Sequence, residues 1–407
     1  MLKPSPLHDR TEPLCHSMLW KEWNGYASVR AFDAHSESEY FAIRNKVGMI
    51  DVSPLCKHEI LGIDAGVLLS RVFSRDAAGL AERRVAYGLL VDPDGYVLDD
   101  GTCAKLSPEH FRLCTSARWV GWLRRHARGL RVKIEDSTDR IAVLAVQGPL
   151  ARDLLAPLVD FELGRMPFFR IRPTTLAGLD IELSRTGYTG DLGYELWIDA
   201  ARAVALWDVL SEAGAPLQLT PFGLDALDVA RIEAGFVLAG VDYFGAHTVE
   251  IAAQRSTPHE LGLGRCVELE RRIRFIGQDA IERELVRGPA WALVGLQLDG
   301  AELERLYAEH GLSPRFGPCA SRSAVPVYAP DGRTHVGQAT SHTWSPILKG
   351  YLALASVRAP FGQLGTQLRI EHTAEYERRT VTAQVVPRTF FDPPRKRTTR
   401  APQQRAT

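Results

Sequence analysis

The chain of 407 residues has no apolar run approaching the roughly 20 residues that a membrane-spanning helix needs. Its first residues, MLKPSPLHDRTEP, contain no apolar segment of the kind found in secretory signals. Acidic and basic residues number 49 each, so there is no net charge to attract nucleic acid or an anionic membrane. These absences favour a cytoplasmic protein that binds neither nucleic acid nor a membrane.

Patterns for metal and disulfide chemistry are also missing. The six cysteines are scattered without a CxxC pair, and the twelve histidines form no HExxH or HxxxH motif. Scattered cysteines in a chain of this size are typical of reduced thiols in a cytosolic protein. The sequence therefore predicts neither a metal site nor a disulfide framework.

Motifs for nucleotide binding and serine hydrolysis are incomplete. The segments GLGRCV (262–267) and GYTGDLG (187–193) complete neither a GxGxxG fingerprint after a strand nor a P-loop. A GxSxG nucleophile elbow is missing as well. Dinucleotide or ATP binding is therefore unsupported.

The length of the chain and the change of secondary-structure pattern along it predict more than one domain. One core usually stops growing at about 250–300 residues, so two or three domains are expected. Residues 1–288 mix helical patterns with neighbouring strand patterns, which indicates an α+β fold. Short strands between glycine and proline turns predict an all-β, barrel-like domain at 289–392. Residues 393–407 are polar and basic without periodicity, and a disordered, solvated tail is favoured there over a nucleic-acid contact.

Local patterns place individual elements. Residues 36–48 predict a helix that is capped by Ser36 and ended by Gly48. Residues 85–91 and 96–99 predict two strands that are joined by a turn.

Carboxylates are the remaining candidates for a functional site. Asp99 and Asp100 end the second of these strands, so their side chains are expected to point to opposite faces. In GYELWID (193–199), Glu195 shares a strand face with Trp197, which suggests a pocket wall where a flat heterocycle stacks and hydrogen-bonds. Each pattern has an ordinary alternative: a solvated strand face for Glu195 and an acidic turn end for the aspartates.

The segment SRTGYTGDLGYELWI (184–198) resembles the signature of the glycine cleavage T-protein family, tetrahydrofolate-dependent aminomethyl and methyl transferases. Other segments are similar to the family in the same order: AIRNKVGMIDVS (42–53), GYVLDDGT (95–102), LAVQGPLA (144–151), RIEAGFVLAGVDY (231–243), FIGQDAI (275–281) and VGQATSHTWSPILKGYLALASV (336–357). The resemblance covers about residues 13–375. Seven collinear matches are more specific than any one of them.

The resemblance implies a three-lobed ring around a channel that holds tetrahydrofolate, with two interleaved α+β lobes at 1–288 and a β-barrel at 289–392. It implies that Asp100 lies beside N5 and N10 of the folate as the catalytic group. It assigns folate binding to Tyr188, Glu195 and Arg231. The carboxylate of Glu195 would accept two N–H bonds from the aminopyrimidine edge of the pterin.

Departures from the family pattern bear on the substrate. Leu227 stands where the family usually has an arginine, Arg112 replaces an aromatic residue, and LWKEWNGY (19–26) replaces the usual Phe-Ala-Gly-Trp. These differences favour a small oxygen, nitrogen or sulfur donor of a methyl group over a lipoyl-bound aminomethyl group. We expect substrate contacts from Arg112 and Tyr243, with a solvated strand arginine as the alternative for Arg112.

The sequence thus predicts a tetrahydrofolate-dependent one-carbon transferase that moves a methyl or aminomethyl-derived unit from a small donor to folate N5. The glycine cleavage T-protein itself, with a lipoyl carrier protein as partner, stays open. A non-catalytic folate-binding branch that maintains iron–sulfur proteins carries Lys-Gly-Cys-Tyr before its Gly-Gln, whereas RIRFIGQ (272–278) has no cysteine. A flavin dehydrogenase fusion would require an upstream GxGxxG domain, which the sequence lacks.

Overall fold

The computed structural model describes residues 2–314 and 319–399. Within these ranges the chain divides into two compact units. The first contains residues 2–88, 100–230 and 392–399, and the second contains residues 89–99 and 231–391 apart from the gap at 315–318. No helix of these two ranges is both long and apolar enough to cross a membrane.

The elements alternate along the chain. The strands are β1 Leu19–Trp23, β2 Tyr26–Ala31, β3 Gly48–Asp51, β4 Cys56–Leu61, β5 Val85–Val91, β6 Val97–Ser107, β7 His110–Thr115, β8 Lys133–Asp136, β9 Ile141–Gln147, β10 Ile171–Leu176, β11 Leu179–Ser184, β12 Gly193–Asp199, β13 Thr220–Pro221, β14 Trp291–Leu298, β15 Val325–Tyr328, β16 His335–Ser345, β17 Gly350–Arg358, β18 Gln367–Ala374 and β19 Glu377–Val386. The α-helices are α1 His8–Thr11, α2 Glu37–Asn45, α3 Ala65–Val72, α4 Val120–His126, α5 Ala151–Leu155, α6 Ala203–Gly214, α7 Leu224–Glu233, α8 Gln278–Arg287 and α9 Gly300–Ala308.

Two larger sheets carry most of the first unit. One has the strand order β10-β11-β12-β9-β3-β13, and the other has the order β5-β6-β7-β4-β8. A separate hairpin is formed by β1 and β2. The pairs in the first sheet are antiparallel except for β13 with β3, which is parallel. The predicted α+β layering is confirmed.

Strand β12 separates a core from a second, partly polar face. Tyr194, Leu196 and Ile198 are buried in a core that also contains residues of α5 and α6. Because successive side chains alternate, Glu195 and Trp197 point to the opposite face.

The second unit contains a closed barrel with the strand order β14-β17-β16-β15-β18-β19. Pairing of β14 with both β17 and β19 closes the ring and removes free sheet edges. Its interior is filled by valine, leucine, isoleucine and alanine side chains, and α9 packs against it. The predicted barrel is confirmed.

Two predicted boundaries shift. The helix expected at 36–48 is α2, which ends at Asn45, and Gly48 is instead the first residue of β3. A Cβ atom at position 48 would overlap the Phe222 ring, so this position requires glycine. The strand expected at 96–99 is β6, which continues to Ser107. Asp99 and Asp100 therefore lie within a long strand. Gly101 lets this strand approach the backbone of Cys114 on β7.

The segment 393–399, which composition predicts to be disordered, is instead ordered against the first unit. Its short 3-10 turn, Pro394–Lys396, places Arg395 in a two-bonded ion pair with Asp191 at 2.7 and 2.6 Å. Arg185 donates to the carbonyls of Lys396 (3.0 Å) and Thr398 (2.9 Å). Long-range ion pairs thus order a segment that has no apolar periodicity. Residues 400–407 of the expected tail lie outside the described residues.

The loop between β11 and β12 is built around one buried amide. The side chain of Gln147 accepts a hydrogen bond from Thr189 Oγ1 at 2.9 Å. A Cβ atom at Gly187 or at Gly193 would overlap this amide. Gly190 has a φ of +76°, a conformation that glycine adopts without strain. These glycines are therefore required for close packing and for a left-handed turn.

Gly193→Ala is expected to lower the free energy of unfolding by about 1–3 kcal/mol, because its Cβ must displace the buried Gln147 amide. Urea unfolding followed by circular dichroism measures the loss. In a Gln147→Ala background the same change should cost much less. Gly121→Ala is the control, because nothing lies within 4 Å of a Cβ there. An equal loss in both backgrounds would contradict this packing.

Arg395→Ala is expected to lower the free energy of unfolding by about 1–3 kcal/mol. It leaves the fully buried side chain of Asp191 with Arg44, whose Nη1 is 3.7 Å away. Arg397→Ala is the matched control, since its half-exposed ion pair with Asp392 should contribute less than about 1 kcal/mol. Chemical denaturation of both variants, with hydrogen exchange at residues 186–192, tests the difference. Equal losses in the two variants would count against a specific role for Arg395.

Candidate functional site

A pocket of the first unit lies between its two larger sheets. Strands β5, β6 and β7 form one wall. Strands β10, β11 and β12 form the other, together with Thr186 in the loop after β11. The lining residues are Val85, Thr102, Ala104, Arg112, Cys114, Ile171, Ser184, Thr186, Glu195 and Trp197. Half of these residues are apolar or weakly polar, and the other half bring polar or charged groups to one space, a combination that ligand sites commonly have.

Glu195 is the carboxyl group of this pocket. Thr186 Oγ1 donates a hydrogen bond of 2.7 Å to its Oε2, and Ser184 Oγ lies 2.8 Å from the same hydroxyl. Burial raises the pKa of Glu195, and the hydrogen bond from Thr186 offsets this in part. Among the described residues no cation lies within ion-pairing distance of Glu195. Glu195 is therefore a half-buried residue whose carboxyl group is shielded from much of the solvent and is not paired with a cation.

Trp197 stands two residues further along the same face of β12. Its side chain is buried, with 6% of the residue exposed. The Arg112 guanidinium lies 5.2 Å from the centre of the indole ring and covers one of its faces. The indole Nε1 is buried and has no hydrogen-bond partner within the described ranges. Trp197 therefore presents an unused donor at the wall that also holds Glu195.

Arg112 lines the pocket and bridges the two sheets. Its Nε donates to Glu59 Oε1 on β4 at 2.7 Å, and its Nη1 donates to Glu182 Oε2 on β11 at 2.6 Å. Burial raises the pKa of Glu59, but the hydrogen bond from His110 and the charge of Arg112 outweigh it, so that the pKa is lowered to about 2. The charge of Arg112 is thus already matched by two carboxylates.

Asp100 lies on the same face of β6 as the pocket residues Thr102 and Ala104, because residues two apart share a strand face. Tyr87 on β5 donates a hydrogen bond of 2.8 Å to Asp100 Oδ2. Asp99 is 1% exposed, whereas Asp100 is partly exposed. The expectation that the two aspartates differ in environment agrees with these positions.

Tyr188 lies in the glycine-rich loop and is partly exposed. Arg44 anchors this loop, because its Nη1 donates to the carbonyl of Thr189 at 2.8 Å. Asp191, in the same loop, receives the ion pair from Arg395. The loop that follows β11 is therefore anchored at Thr189 and Asp191, directly after Tyr188.

Arg231 and Tyr243 belong to the second unit. Arg231 is buried, and its Nη1 forms an ion pair of 2.5 Å with Asp242 Oδ2. Its Nη2 donates to Ser341 Oγ on β16 at 2.7 Å. Tyr243 is also buried, with 2% of the residue exposed. The contacts of Arg231 tie this residue to the barrel within that unit.

Several residues of the pocket had no signal that pattern reasoning could use. Thr186 and Tyr87 hydrogen-bond the two candidate carboxylates, and neither stands out in composition. Glu59 and Glu182 lie 53 and 70 residues from Arg112 in the sequence. Period-two alternation of β11 would have placed Glu182 and Ser184 on one face, but not beside a strand of the other sheet.

Comparison with protein families gives two matches. The model described as the GCVT N-terminal domain matches residues 13–271. The model described as the glycine cleavage T-protein C-terminal barrel domain matches residues 310–392. The second match covers most of the barrel strands.

Individual relatives have different names. The chain is 33% identical over 412 residues to a trimethylamine-oxide aldolase of Ruegeria pomeroyi, covering 98% of the chain but 48% of that protein. It thus spans about half the length of this relative. It is 31% identical over 401 residues to an aminomethyltransferase of Bacillus velezensis, covering 97% of the chain and 100% of that protein.

A solved structure has the same fold. The glycine cleavage system aminomethyltransferase T from Bartonella henselae superposes with a TM-score of 0.81, at 23% identity, covering 98% of the chain and 100% of that protein. The mixed α/β architecture with its C-terminal barrel is therefore a known one.

Glu195→Gln is expected to stabilise the ligand-free protein at neutral pH. Because the pKa of Glu195 is raised, the folded state binds this proton more tightly than the unfolded chain, and stability falls as the pH rises toward the raised pKa. Below the ordinary pKa of 4.5 both states are protonated, so the advantage of the variant should disappear. Urea unfolding at a series of pH values measures this.

Glu59→Gln is the matched control, with the opposite sign. The lowered pKa of Glu59, about 2, contributes stability above the ordinary value that is lost as the pH falls through the folded value. This variant should be less stable than the wild type at neutral pH. If Glu195→Gln were destabilised as much as Glu59→Gln at neutral pH, the ionised carboxylate of Glu195 would stabilise the fold, contrary to this prediction.

Proposed function

The chain belongs to the glycine cleavage T-protein family, and from that premise we propose that it transfers a one-carbon unit from a small donor to N5 of tetrahydrofolate. It is a T-protein-like transferase, in agreement with relatives that are named aminomethyltransferase. When bound, tetrahydrofolate supplies the nucleophilic nitrogen that accepts the unit. The roles below concern the residues of this chain.

The observation that carries the proposal is the state of Glu195. A desolvated carboxyl group without a cation nearby is costly unless a ligand supplies hydrogen-bond donors. The aminopyrimidine edge of a pterin presents two neighbouring N–H donors, which match the two oxygens of a carboxylate. Tetrahydrofolate therefore fits the polar groups of this pocket, and Glu195 would hold its pterin with Tyr188 on the adjoining loop.

Asp100 is the proposed catalytic group. It lies on the pocket side of β6, and the hydrogen bond from Tyr87 holds its carboxylate in one orientation. A carboxylate fixed in this way can orient the folate and stabilise positive charge that develops during transfer. No covalent intermediate with the protein is required.

Arg112 has a positioning role in this proposal. Its bonds to Glu59 and Glu182 support a function in joining the two pocket walls, and its guanidinium fixes the Trp197 ring. Binding of a substrate carboxylate by Arg112 stays a prediction, as do the assignments of Arg231 to folate and of Tyr243 to substrate. The ion pair of Arg231 with Asp242 supports a structural role in the second unit.

Two donors are supported by different relatives. A methylated amine or a related small donor is favoured by the match to the trimethylamine-oxide aldolase. An aminomethyl group on a lipoyl carrier protein is the second candidate, because the match to an aminomethyltransferase covers that protein completely. A donor screen with tetrahydrofolate that follows 5-methyl and 5,10-methylene products distinguishes them.

Asp100→Asn is expected to reduce turnover at least about a hundredfold while it leaves tetrahydrofolate affinity within a few fold, because it removes a charge that acts on the reacting centre. Glu195→Gln is expected to do the reverse and weaken binding. Calorimetric titration and single-turnover kinetics separate the two effects. Wild-type turnover in Asp100→Asn, or unchanged affinity in Glu195→Gln, would remove the corresponding role.

A further inference from the structure

The pocket wall contains two polar groups whose hydrogen-bonding capacity is complementary. Glu195 offers carboxyl oxygens, which accept, and Trp197 offers an indole N–H, which donates. Residues two apart on a strand are about 6.6 Å apart along it, so both groups belong to one short stretch of the wall. A planar ligand that lies along this stretch meets an acceptor first and a donor next to it.

The donor of Trp197 has no protein group to satisfy it. Its Nε1 is buried, and no acceptor bonds it within residues 2–314 and 319–399. Buried tryptophan N–H groups usually find a partner, so an orphaned one at a pocket wall requires an explanation. One ring face is covered by Arg112, which leaves recognition through the ring edge rather than stacking on that face.

A pterin carries the matching pattern on one edge. Its 2-amino group and N3–H are donors, and the oxygen on C4, adjacent to N3, is an acceptor. If Glu195 accepts from the two donors, the next group along that edge is an oxygen that requires a donor. Thr186 and Ser184 of the lining are less suited, because Thr186 already bonds Glu195 and the two hydroxyl groups bond each other.

We propose that Trp197 is a specificity residue whose indole N–H donates to the C4 oxygen of the pterin and thereby selects 4-oxo over 4-amino pteridines. This inference rests on the proposed function, since it takes tetrahydrofolate as the ligand. A 4-amino group is itself a donor, so it would leave the indole N–H unpaired. Selection by a buried unpaired donor is stronger than selection by shape alone.

The test compares tetrahydrofolate with its 4-amino analogue, tetrahydroaminopterin, by calorimetric titration under reducing conditions. Trp197→Phe is expected to weaken tetrahydrofolate binding about three- to tenfold, the value of one neutral hydrogen bond. The affinity for the analogue should not fall, because it has no oxygen on C4 in any orientation. Trp207→Phe, a buried tryptophan of α6, is the control for loss of ring size and should change neither affinity.

Two further measurements keep the test decisive if Trp197→Phe folds poorly. Replacement of Trp197 by benzothienylalanine keeps the ring size and removes only the N–H, and it should give the same selective loss. In the wild-type protein labelled with 15N, the indole N–H signal of Trp197 should move downfield on addition of tetrahydrofolate and not on addition of the analogue. This signal reports on binding without any turnover.

The possible outcomes distinguish a failure of the Trp197 role from a failure of the proposed function. Unchanged tetrahydrofolate affinity in both Trp197 variants, with weakened binding in Glu195→Gln, overturns the role of Trp197 and leaves the proposed function standing. Equal losses for both ligands also overturn it, since they indicate a general packing defect. Absence of tetrahydrofolate binding to the wild type overturns both.

Discussion

A half-buried carboxyl group that no cation neutralises is the constraint on which the pocket depends. Glu195 accepts one hydrogen bond from a threonine hydroxyl and lies in a wall that raises its pKa, so its ionised form is unfavourable in the ligand-free protein. Such a group persists only where the surroundings leave it no alternative position. The surroundings here are rigid: β12 is anchored by its core face, and the loop before it packs glycines against the Gln147 amide. The position of this carboxyl group is thus fixed by the ligand-free protein.

Unlike Glu195, the charged groups around Arg112 form ion pairs within the protein. Arg112 joins Glu59 on one sheet to Glu182 on the other, and His110 shares the Glu59 carboxylate. This network is paired within the protein, which fixes the distance between the walls. The contrast explains how two kinds of polar group coexist in a small space. Paired groups determine the shape of the pocket, and the proposed recognition depends on Glu195, which has no ion-pair partner among the described residues, and on Trp197, whose indole N–H has no acceptor there.

Periodicity in the sequence was sufficient for much of this arrangement. The alternation in GYELWID predicted which side of β12 holds Glu195, and the glycine and proline turns predicted the barrel. What it missed depends on contacts between distant segments. Arg395 and Asp191 are 204 residues apart, and their ion pair orders a segment that by composition alone looks disordered. Local sequence contains no information about such a partner, because the energy that orders the segment comes from the surface on which it lies.

The proposed contacts of Glu195 and Trp197 bear on how the one-carbon donor can differ while the acceptor stays the same. Their hydrogen-bonding groups lie on a single strand, so the proposed contacts with the pterin edge use neither α7 nor the β1–β2 hairpin. The departures from the family pattern at Leu227 and at residues 19–26 fall in those elements. Substitutions there can therefore alter the environment of the donor without disturbing the pterin contacts. In this proposal a rigid strand binds the pterin, and more variable elements surround the donor. Specificity for the acceptor and specificity for the donor then depend on different parts of the structure.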